Sequence, residues 1–297
     1  MKIKQMFLNS VLAIGATLIA NSAFVEQELY NGGSDGGERG GWYIAMRTAF
    51  DDAVIVSLDS TTVKAQLFHL KNSPWRGGNQ GQADGLNVDY VLNEWLSTGG
   101  TYMIIDDNQP GTDDLSVYDA RAEWAALPGR SLSGEIAHEH SADIDALAYY
   151  LQVTYSFTSA PWTPALTYRY ANFDEDFRYI AYGVTDYGYW VQVEIAGNYP
   201  LANSNLKSNM VRVAPLTDVT LNLIYYDFRL PEPTLFAQEV TSRDFGRKIN
   251  LALDWQASKR LALNVALGWL KPGKAAKQWT GGSEDRSSAI FYLSYTL

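Results

Sequence analysis

Apolar and polar residues alternate along most of this chain, and this period of two limits the possible folds more than any other feature. Within residues 248–256, apolar side chains occupy the odd positions and polar or small ones the even positions. The same split recurs within 260–269 and, with Ile224 as an exception, within 219–225. Because the side chains of a β-strand point alternately to two faces, these segments predict strands with one apolar and one polar face. The period does not fit helices.

The length of the alternating segments and the charge of their polar phase indicate where such strands would lie. Each segment runs for about ten residues, the length that a tilted strand needs to cross a bilayer, whereas strands of soluble sandwiches more often have about five or six. The polar phase carries charged residues that require water, so the apolar phase must face another medium. Lipid outside and water inside satisfy both faces. We therefore predict an all-β fold, a transmembrane antiparallel β-barrel of about 14–16 strands.

About fourteen segments share this pattern: 52–58, 61–71, 86–96, 99–107, 115–127, 130–141, 145–157, 163–173, 187–199, 205–215, 218–229, 248–257, 260–270 and 288–297. Residues 42–49 are a further candidate. Short turns alternate with long connections at 230–247 and 271–287, as in outer-membrane barrels with short periplasmic turns and long external loops. Between 158 and 215 this order breaks. Either 174–186 is a long periplasmic connection, with the turn after 156–158 outside, or a short strand begins at Phe177.

The N-terminus has a different composition from the rest of the chain. Lys2 and Lys4 precede an apolar stretch from Met6 to Ala20, and small residues follow up to Ala23. This layout is typical of a secretory signal peptide, and the run is too short for a membrane anchor; an ordinary buried helix is the alternative. We predict a signal peptide over 1–23, a flexible glycine-rich lead-in over 24–41 and a barrel over 42–297, located in the bacterial outer membrane.

Composition excludes several classes of protein. The chain has no cysteine, so it has neither disulfides nor thiolate metal sites, and its formal charge of -10 argues against a general nucleic-acid binder. Tyr and Trp are abundant, with 19 and 9 copies, and both favour the two interfaces of a membrane. We expect most of the tryptophans to form aromatic girdles.

Four blocks in the C-terminal half carry a family resemblance. They are "LTYRYANFDEDFRYIAYG", "YWVQVEIAGNYPLANSNL", "LIYYDFRL" and "SRDFGRKINLALDW", within residues 166–255. In order and spacing they resemble the alginate export family of outer-membrane porins, over roughly 40–297 and most strongly after 160. The resemblance implies a monomeric barrel whose arginines and lysines pass an anionic polyuronate outward. Family barrels are similar to pores of about eighteen strands, so this chain would be a narrower relative or an incomplete copy.

A uronate polymer carries one carboxylate per sugar, so its path needs spaced cations that bind and release it. The cations that we expect on the lumen face are Lys64, Arg121, Arg169, Arg212 and Lys248. Near the outer loop, a collecting cluster is expected from Arg229, Arg243 and Arg247, since guanidinium groups pair well with carboxylates. The acids expected to hold these arginines in place are Glu194, Asp227 and Asp244.

Other functions remain open alternatives or are disfavoured by the sequence. A general small-solute porin without polymer selectivity is the main alternative. His138 and His140 flank Glu139 on one strand, but no third ligand at a readable spacing supports a metal site. No nucleophile elbow supports a hydrolase, and we predict neither enzyme activity nor a cofactor. The expected partners are an anionic polysaccharide or oligouronate, outer-membrane lipid and periplasmic export components, but not nucleic acid.

Overall fold

The computed structural model describes residues 13–20, 50–72, 81–106, 113–177, 204–216, 218–235 and 238–295. Fourteen strands form one sheet in the order β1–β11, β14, β15, β16. Their bounds are β1 Ala13–Ala20, β2 Phe50–Asp59, β3 Val63–Asn72, β4 Gln82–Asn93, β5 Leu96–Asp106, β6 Leu115–Leu127, β7 Arg130–His140, β8 Asp145–Ser156, β9 Ala165–Phe173, β10 Ser204–Leu216, β11 Val219–Arg229, β14 Asp244–Gln256, β15 Leu261–Pro272 and β16 Arg286–Tyr295. A small hairpin, β12 Thr234–Leu235 and β13 Gln238–Glu239, and a helix, α1 Lys274–Thr280, lie in connections.

Every strand of the large sheet pairs antiparallel with the strand before or after it in the sheet order, so the chain runs up and down. The predicted segments that fall on described residues, all but 187–199, coincide with these strands within a few residues. The segment predicted at 115–127 matches β6, for example, and that at 130–141 matches β7 up to His140. The predicted antiparallel β-barrel class is confirmed. Within the described residues, the first and last strands, β1 and β16, do not pair with each other.

Burial across the sheet is the reverse of that in a soluble protein. On one face large apolar side chains are exposed, among them Leu223 at 52%, Ile249 at 45% and Trp269 at 49%. On the other face the neighbouring polar residues Asn222 and Asn250 are only 2% and 0% exposed. Soluble monomers rarely expose apolar patches of this extent, so the outward face fits contact with lipid.

The two edges of the barrel differ in the length of their connections. Turns at 60–62, 94–95, 128–129, 157–164, 217–218 and 257–260 lie at one edge, which we call the turn end. The opposite edge, the loop end, carries the short 141–144 turn and the longer connections 230–243 and 273–285, and β9 ends there at Phe173. Ser156 donates its backbone N–H to the carbonyl of Gly129 over 2.6 Å, which places residues 157–164 at the same edge as the 128–129 turn.

The order of strands between 158 and 215 corrects the prediction. β9 pairs directly with β10, with Phe173 opposite Ser204 and Ala165 opposite Arg212. β9 therefore ends and β10 begins at the loop end. Since the short turns are the periplasmic ones in the predicted topology, the alternative with a periplasmic 174–186 is wrong. The predicted strand at 187–199 lies outside the described residues, yet no strand stands between β9 and β10. Alternation within a segment does not show which strands are neighbours in the sheet.

The N-terminal strand β1 falls inside the segment predicted to be a signal peptide. It pairs with β2 from Ala13 opposite Asp59 to Ala20 opposite Asp52. Cleavage after Ala23 would remove β1 and leave β2 at that edge of the sheet, so the signal peptide stays a prediction. The predicted lead-in and the candidate strand at 42–49 lie outside the described residues. Among the described residues, no helix combines the length and apolarity needed to span a bilayer.

Two of the loop-end connections pack against each other. Gln278 of α1 accepts the backbone N–H of Thr241 over 2.9 Å, and Gly273 donates its N–H to the carbonyl of Phe245 over 2.7 Å. Helix α1 ends at Gly281, whose φ of 67° lies in the left-handed region that glycine favours. An apolar cluster lies beneath and includes Phe228, Leu230, Leu235, Val240, Phe245, Ala275 and Ala276. The connection predicted at 230–247 is thus an ordered hairpin, with β14 already begun at Asp244.

Candidate functional site

The charged residues of the inward face are segregated by sign. In strands β4–β7, carboxyl groups dominate this face. The acidic wall, as we call it, comprises Asp89, Asp119, Glu123, Glu135 and Glu139, with Arg121 among them. In strands β9–β14, cations dominate. The basic wall comprises Arg169, Arg212 and Lys248, with Asp254 near the turn end.

Arg121 is the centre of a hydrogen-bond network that crosses three strands of the acidic wall. Its Nε and Nη2 donate to Asp89 Oδ1 over 3.1 and 2.6 Å, and its Nη1 donates to Asp119 Oδ1 over 2.5 Å. Its Nη2 also reaches Asn87 Oδ1 at 2.5 Å, and Nη1 reaches Thr101 Oγ1 at 3.2 Å. Charge-assisted bonds of this kind are stronger than neutral ones. Arg121 therefore ties β4, β5 and β6 together from the inside.

A glycine makes this network possible. Gly99 of β5 lies directly between Asp89 and Arg121 in the strand register. A Cβ atom at Gly99 would come within 2.4 Å of Asp89 Oδ1 and 3.0 Å of Arg121 Nε. Without a side chain at that position, the guanidinium group reaches across β5 to β4.

One further carboxyl group, that of Glu135, lies on the other side of Arg121. Glu135 of β7 is its direct cross-strand neighbour, and the side chains of Glu135 and Asp119 lie within hydrogen-bonding reach of each other. Both acids are buried. The positive charge of Arg121 is thus surrounded by Asp89, Asp119 and Glu135, so this residue is better suited to holding strands together than to attracting an anion.

Arg169 and Lys248 of the basic wall lie in one row of the sheet. The register runs from Gln152 to Arg169, then through Ser208 and Tyr226 to Lys248. Arg169 donates from Nε to Gln152 Oε1 over 2.9 Å, and its guanidinium carbon lies 3.9 Å from the centre of the Tyr150 ring. Lys248 Nζ lies 5.8 Å from the centre of the Tyr226 ring. These are cation–π distances, and both cations are only 1% exposed.

Arg212 extends the basic wall toward the turn end. It lies four residues after Ser208, the neighbour of Arg169, which corresponds to about 13 Å along the strand. Its Nε donates to Asn222 Oδ1 over 2.9 Å, and the side chain is half-buried. Arg212 therefore has better access to the lumen than Arg169 or Lys248.

The structure places the five in-phase cations on the inward face, as their phase predicts. Besides those already described, Lys64 of β3 lies exposed near the turn end, opposite Asp59 and Asp89 in the register. The role of any of these residues in a substrate path stays a prediction.

The predicted collecting cluster does not assemble in the lumen. Arg247 follows the phase of Ile249 and is exposed on the outward face, because adjacent residues of a regular strand cannot both share the inward face with Lys248. Arg229, at the end of β11, shares the outward phase of Tyr225 and is exposed. Arg243 lies in the loop, with Nη2 3.3 Å from Glu232 Oε2.

The acids predicted to support these arginines also separate. Asp227 shares the outward phase, and its Oδ1 lies 3.9 Å from Arg229 Nε, the outer limit of an ion pair. Asp244 stands opposite Arg229 in the register of β14 and β11. Glu194 lies outside the described residues.

The three histidines lie on the outward face near the loop end. His69 Nδ1 lies 2.7 Å from Asp84 Oδ1, and His138 Nε2 lies 2.6 Å from Asp145 Oδ1. The rings of His138 and His140 stack with their centres 6.2 Å apart. In the part of the chain that the structure describes, no group of three or more His, Asp or Glu residues is arranged to hold a metal ion.

An up-and-down antiparallel sheet with an apolar outer face and a charged inner face defines the class of outer-membrane β-barrels. No protein-family model matches this chain, and no curated protein matches it in sequence.

Solved structures do match. The outer membrane protein OprD from Pseudomonas aeruginosa has a TM-score of 0.54 at 14% identity, over 84% of this chain and 68% of that one. OccK5 (OpdH) of the same organism has a TM-score of 0.56 at 11% identity, over 84% and 71%. OpdQ, also from P. aeruginosa, has a TM-score of 0.54 at 11% identity, over 86% and 73%. At these identities the likeness shows the fold alone, and that fold is the porin barrel.

Proposed function

We propose that this protein is an outer-membrane channel that passes an anionic saccharide, a uronate polymer or its oligomers, along the basic wall. One observation carries the proposal: Arg169 of β9, Arg212 of β10 and Lys248 of β14 all lie on the inward face of the basic wall. A uronate presents a carboxylate on every sugar, and spaced cations that bind weakly at several points permit both entry and release.

The members of the basic wall contribute differently to this path. Arg169 and Lys248 are buried against tyrosine rings, so they act on a passing anion through the electric field of the wall. Arg212 is half-buried and can contact the solute itself. A guanidinium group matches a carboxylate with two parallel hydrogen bonds, which makes Arg212 the expected contact residue.

The family resemblance supports the same wall. The block "LTYRYANFDEDFRYIAYG" contains Arg169 in β9, and "SRDFGRKINLALDW" contains Lys248 in β14. The alginate-type substrate, an outward direction of transport and periplasmic export partners are parts of the proposal that rest on this resemblance. Location in the outer membrane requires that the signal peptide over 1–23 be used. Sequencing of the mature N-terminus tests this: a start at Met1 in the membrane fraction would contradict it.

A general small-solute porin is the second candidate, and the acidic wall favours it. Carboxyl groups outnumber Arg121 on the inward face of β4–β7. A lumen with one acidic and one basic wall can pass small ions of both signs, as a porin without polymer preference does. The two candidates differ in how a uronate oligomer affects the current.

Planar-bilayer recording separates these functions. Oligouronates and neutral oligosaccharides of equal length are added to single channels, and the residence time of each current block is measured. The proposal predicts longer blocks by oligouronates and shorter ones in Arg212→Gln. Glu123→Gln, an exposed carboxyl on the opposite wall, is the matched control and should not shorten them. If neutral sugars block the current and oligouronates do not, the acidic substrate is wrong and the general porin is favoured.

A further inference from the structure

Charged residues also form a compact group on the outward face, where the lumen plays no part. Asp227 of β11, Arg247 of β14 and Lys271 of β15 are successive partners in the register near the loop end. Arg247 and Lys271 are exposed, and Arg229 lies exposed two residues beyond Asp227. We call Arg229, Arg247 and Lys271 the outer basic patch.

The neighbouring row of the same face fixes the level of this patch relative to a bilayer. Two residues nearer the strand centres, Tyr225, Ile249 and Trp269 stand side by side, and all three are exposed. Tyr and Trp mark the boundary between acyl chains and headgroups. An arginine or lysine on the lipid face is tolerated near that boundary and disfavoured at the midplane. The outer basic patch therefore lies at headgroup level.

We propose that the outer basic patch binds the phosphate groups of a phosphorylated glycolipid in the leaflet at the loop end. The inference rests on the proposed location in the outer membrane. Charge complementarity carries it: three exposed cations face two neighbouring acids, Asp227, which lies 3.9 Å from Arg229, and Asp244, which stands opposite Arg229 in the register. A guanidinium group binds phosphate through paired hydrogen bonds, and an ammonium group adds a point charge. The patch would hold the lipid beside strands β11–β15.

The outward face of β3–β8, which carries the histidines, differs from the outer basic patch in how its charged groups are paired. On strands β3–β8, the outward charges of the loop end include His69 beside Asp84 and His138 beside Asp145. At these two positions the imidazole has a carboxylate at hydrogen-bonding distance, whereas Arg247 and Lys271 of the patch stand opposite each other in the register. Bound phosphate is expected beside β11–β15.

A charge-matched pair of variants on one hairpin tests the inference. Arg247→Gln with Lys271→Gln removes two positive charges from the patch at the loop end of β14 and β15. Lys259→Gln with Arg260→Gln removes the same charge from the turn that joins these strands at the opposite end. The full-length protein in a nonionic detergent is titrated with diphosphorylated lipid A, and bound lipid is counted by native mass spectrometry.

The patch variant should bind lipid A about 30-fold more weakly, because each cation near a charged lipid surface contributes roughly fivefold. The turn variant should bind like the wild type, and Arg247→Lys with Lys271→Arg, which preserves the charge, should retain most of the affinity. Resistance of the folded band to heating in detergent gels verifies folding. Unchanged binding by the patch variant, or an equal loss in the turn variant, overturns the inference.

Two further arms separate the lipid from other ligands and from the channel function. Phosphatidylcholine, which lacks net charge, should not bind the patch. Inorganic phosphate at equal phosphate concentration should not displace lipid A, and complete displacement would identify a free-anion site instead. The patch variant should conduct like the wild type in neutral-lipid bilayers. If the protein formed no channel, the proposed function would be contradicted. The lipid titration would still test the patch, because binding is counted by mass spectrometry and does not depend on conductance.

Discussion

The acidic wall and the basic wall line the same lumen, but their charged groups are held by different kinds of contact. On the acidic wall, Arg121 donates to the carboxylates of Asp89 in β4 and Asp119 in β6 and to the hydroxyl of Thr101 in β5. On the basic wall, Arg169 donates to the amide of Gln152 and stacks on Tyr150, while Arg212 donates to the amide of Asn222. The same residue type thus serves as a strand link on one wall and as a source of positive field on the other.

This difference teaches that the phase of a cation in a barrel strand does not define its function. Arg121, Arg169 and Arg212 all occupy the inward phase, yet the carboxylates of Asp89 and Asp119 hold Arg121, whereas the amides of Gln152 and Asn222 orient Arg169 and Arg212. A neutral amide orients a guanidinium group without cancelling its charge. Carboxylates about 2.5–3 Å from a guanidinium group cancel most of the electric field that its charge would exert on a more distant ion.

The largest expected effect comes from breaking the network of the acidic wall. Arg121→Leu should lower the free energy of unfolding by about 3–5 kcal/mol, because it leaves Asp89 and the buried Asp119 without their cation. Urea unfolding in lipid vesicles, followed by tryptophan fluorescence, measures this. Lys64→Leu removes the same charge from an exposed inward position and should cost less than about 0.5 kcal/mol. Equal losses would mean that the network contributes no special stability.

The next largest effect is expected from placing arginine on the outward face. Substitutions behind each wall test whether both walls face lipid, although their inward faces differ in charge. Leu251→Arg on β14 and Ile136→Arg on β7 replace exposed outward residues near the middle of their strands. Each should cost about 2–4 kcal/mol at the bilayer midplane. Leu216→Arg, at the turn end of β10, should cost about 0–1 kcal/mol. Urea unfolding in lipid vesicles measures these losses. If arginine at either central position lowers the free energy of unfolding by less than about 1 kcal/mol, that wall does not face lipid.

A smaller effect is expected on ion selectivity from charge removal on either wall. Arg212→Gln should lower the ratio of anion to cation permeability by about fourfold, since a unit charge at roughly 10 Å in water favours an anion and disfavours a cation by about 0.4 kcal/mol each. Glu123→Gln on the acidic wall should raise the ratio by a similar factor. Reversal potentials across a salt gradient measure both. Shifts in the same direction would contradict the opposite signs of the two walls.

The smallest effect is expected at Arg247. Arg247→Gln should leave the permeability ratio unchanged, because the side chain lies outside the barrel wall, next in sequence to the inward Lys248. The same reversal-potential measurement checks this. A shift as large as that of Arg212→Gln would place Arg247 on the ion path, as the predicted collecting cluster does.

Much of the fold could be predicted because alternation is a local property of the chain. The segments at 115–127 and 145–157 correspond closely to β6 and β8, and the outward phase of Leu251 and Trp255 is as expected. The region from 158 to 215 could not be ordered, because the pairing of β9 with β10 joins residues separated by the whole 174–203 connection. β1 was also missed, since an apolar run behind two lysines is typical of a signal peptide.

The candidate site was predictable in part for the same reason. The inward positions of Arg169, Arg212 and Lys248 follow from strand phase. The partners of Arg121 do not: Asp89 lies 32 residues away along the chain, and the gap at Gly99 matters only once β4, β5 and β6 are in register. Arg247 directly precedes Lys248 in β14, so the alternation that predicts an inward Lys248 also predicts an outward Arg247.

The sequence by itself determined that this chain forms strands with an apolar and a charged face, because neighbouring side chains of a strand point to opposite sides whatever their partners are. Only the tertiary structure decided that the acids gather on one wall and that Arg169, Arg212 and Lys248 gather on the other. It also decided which cation is neutralised and which strands adjoin. The physical reason is that cross-strand register depends on pairing between distant segments, and a hydrogen bond or an ion pair forms only where that register brings two groups within about 3 Å.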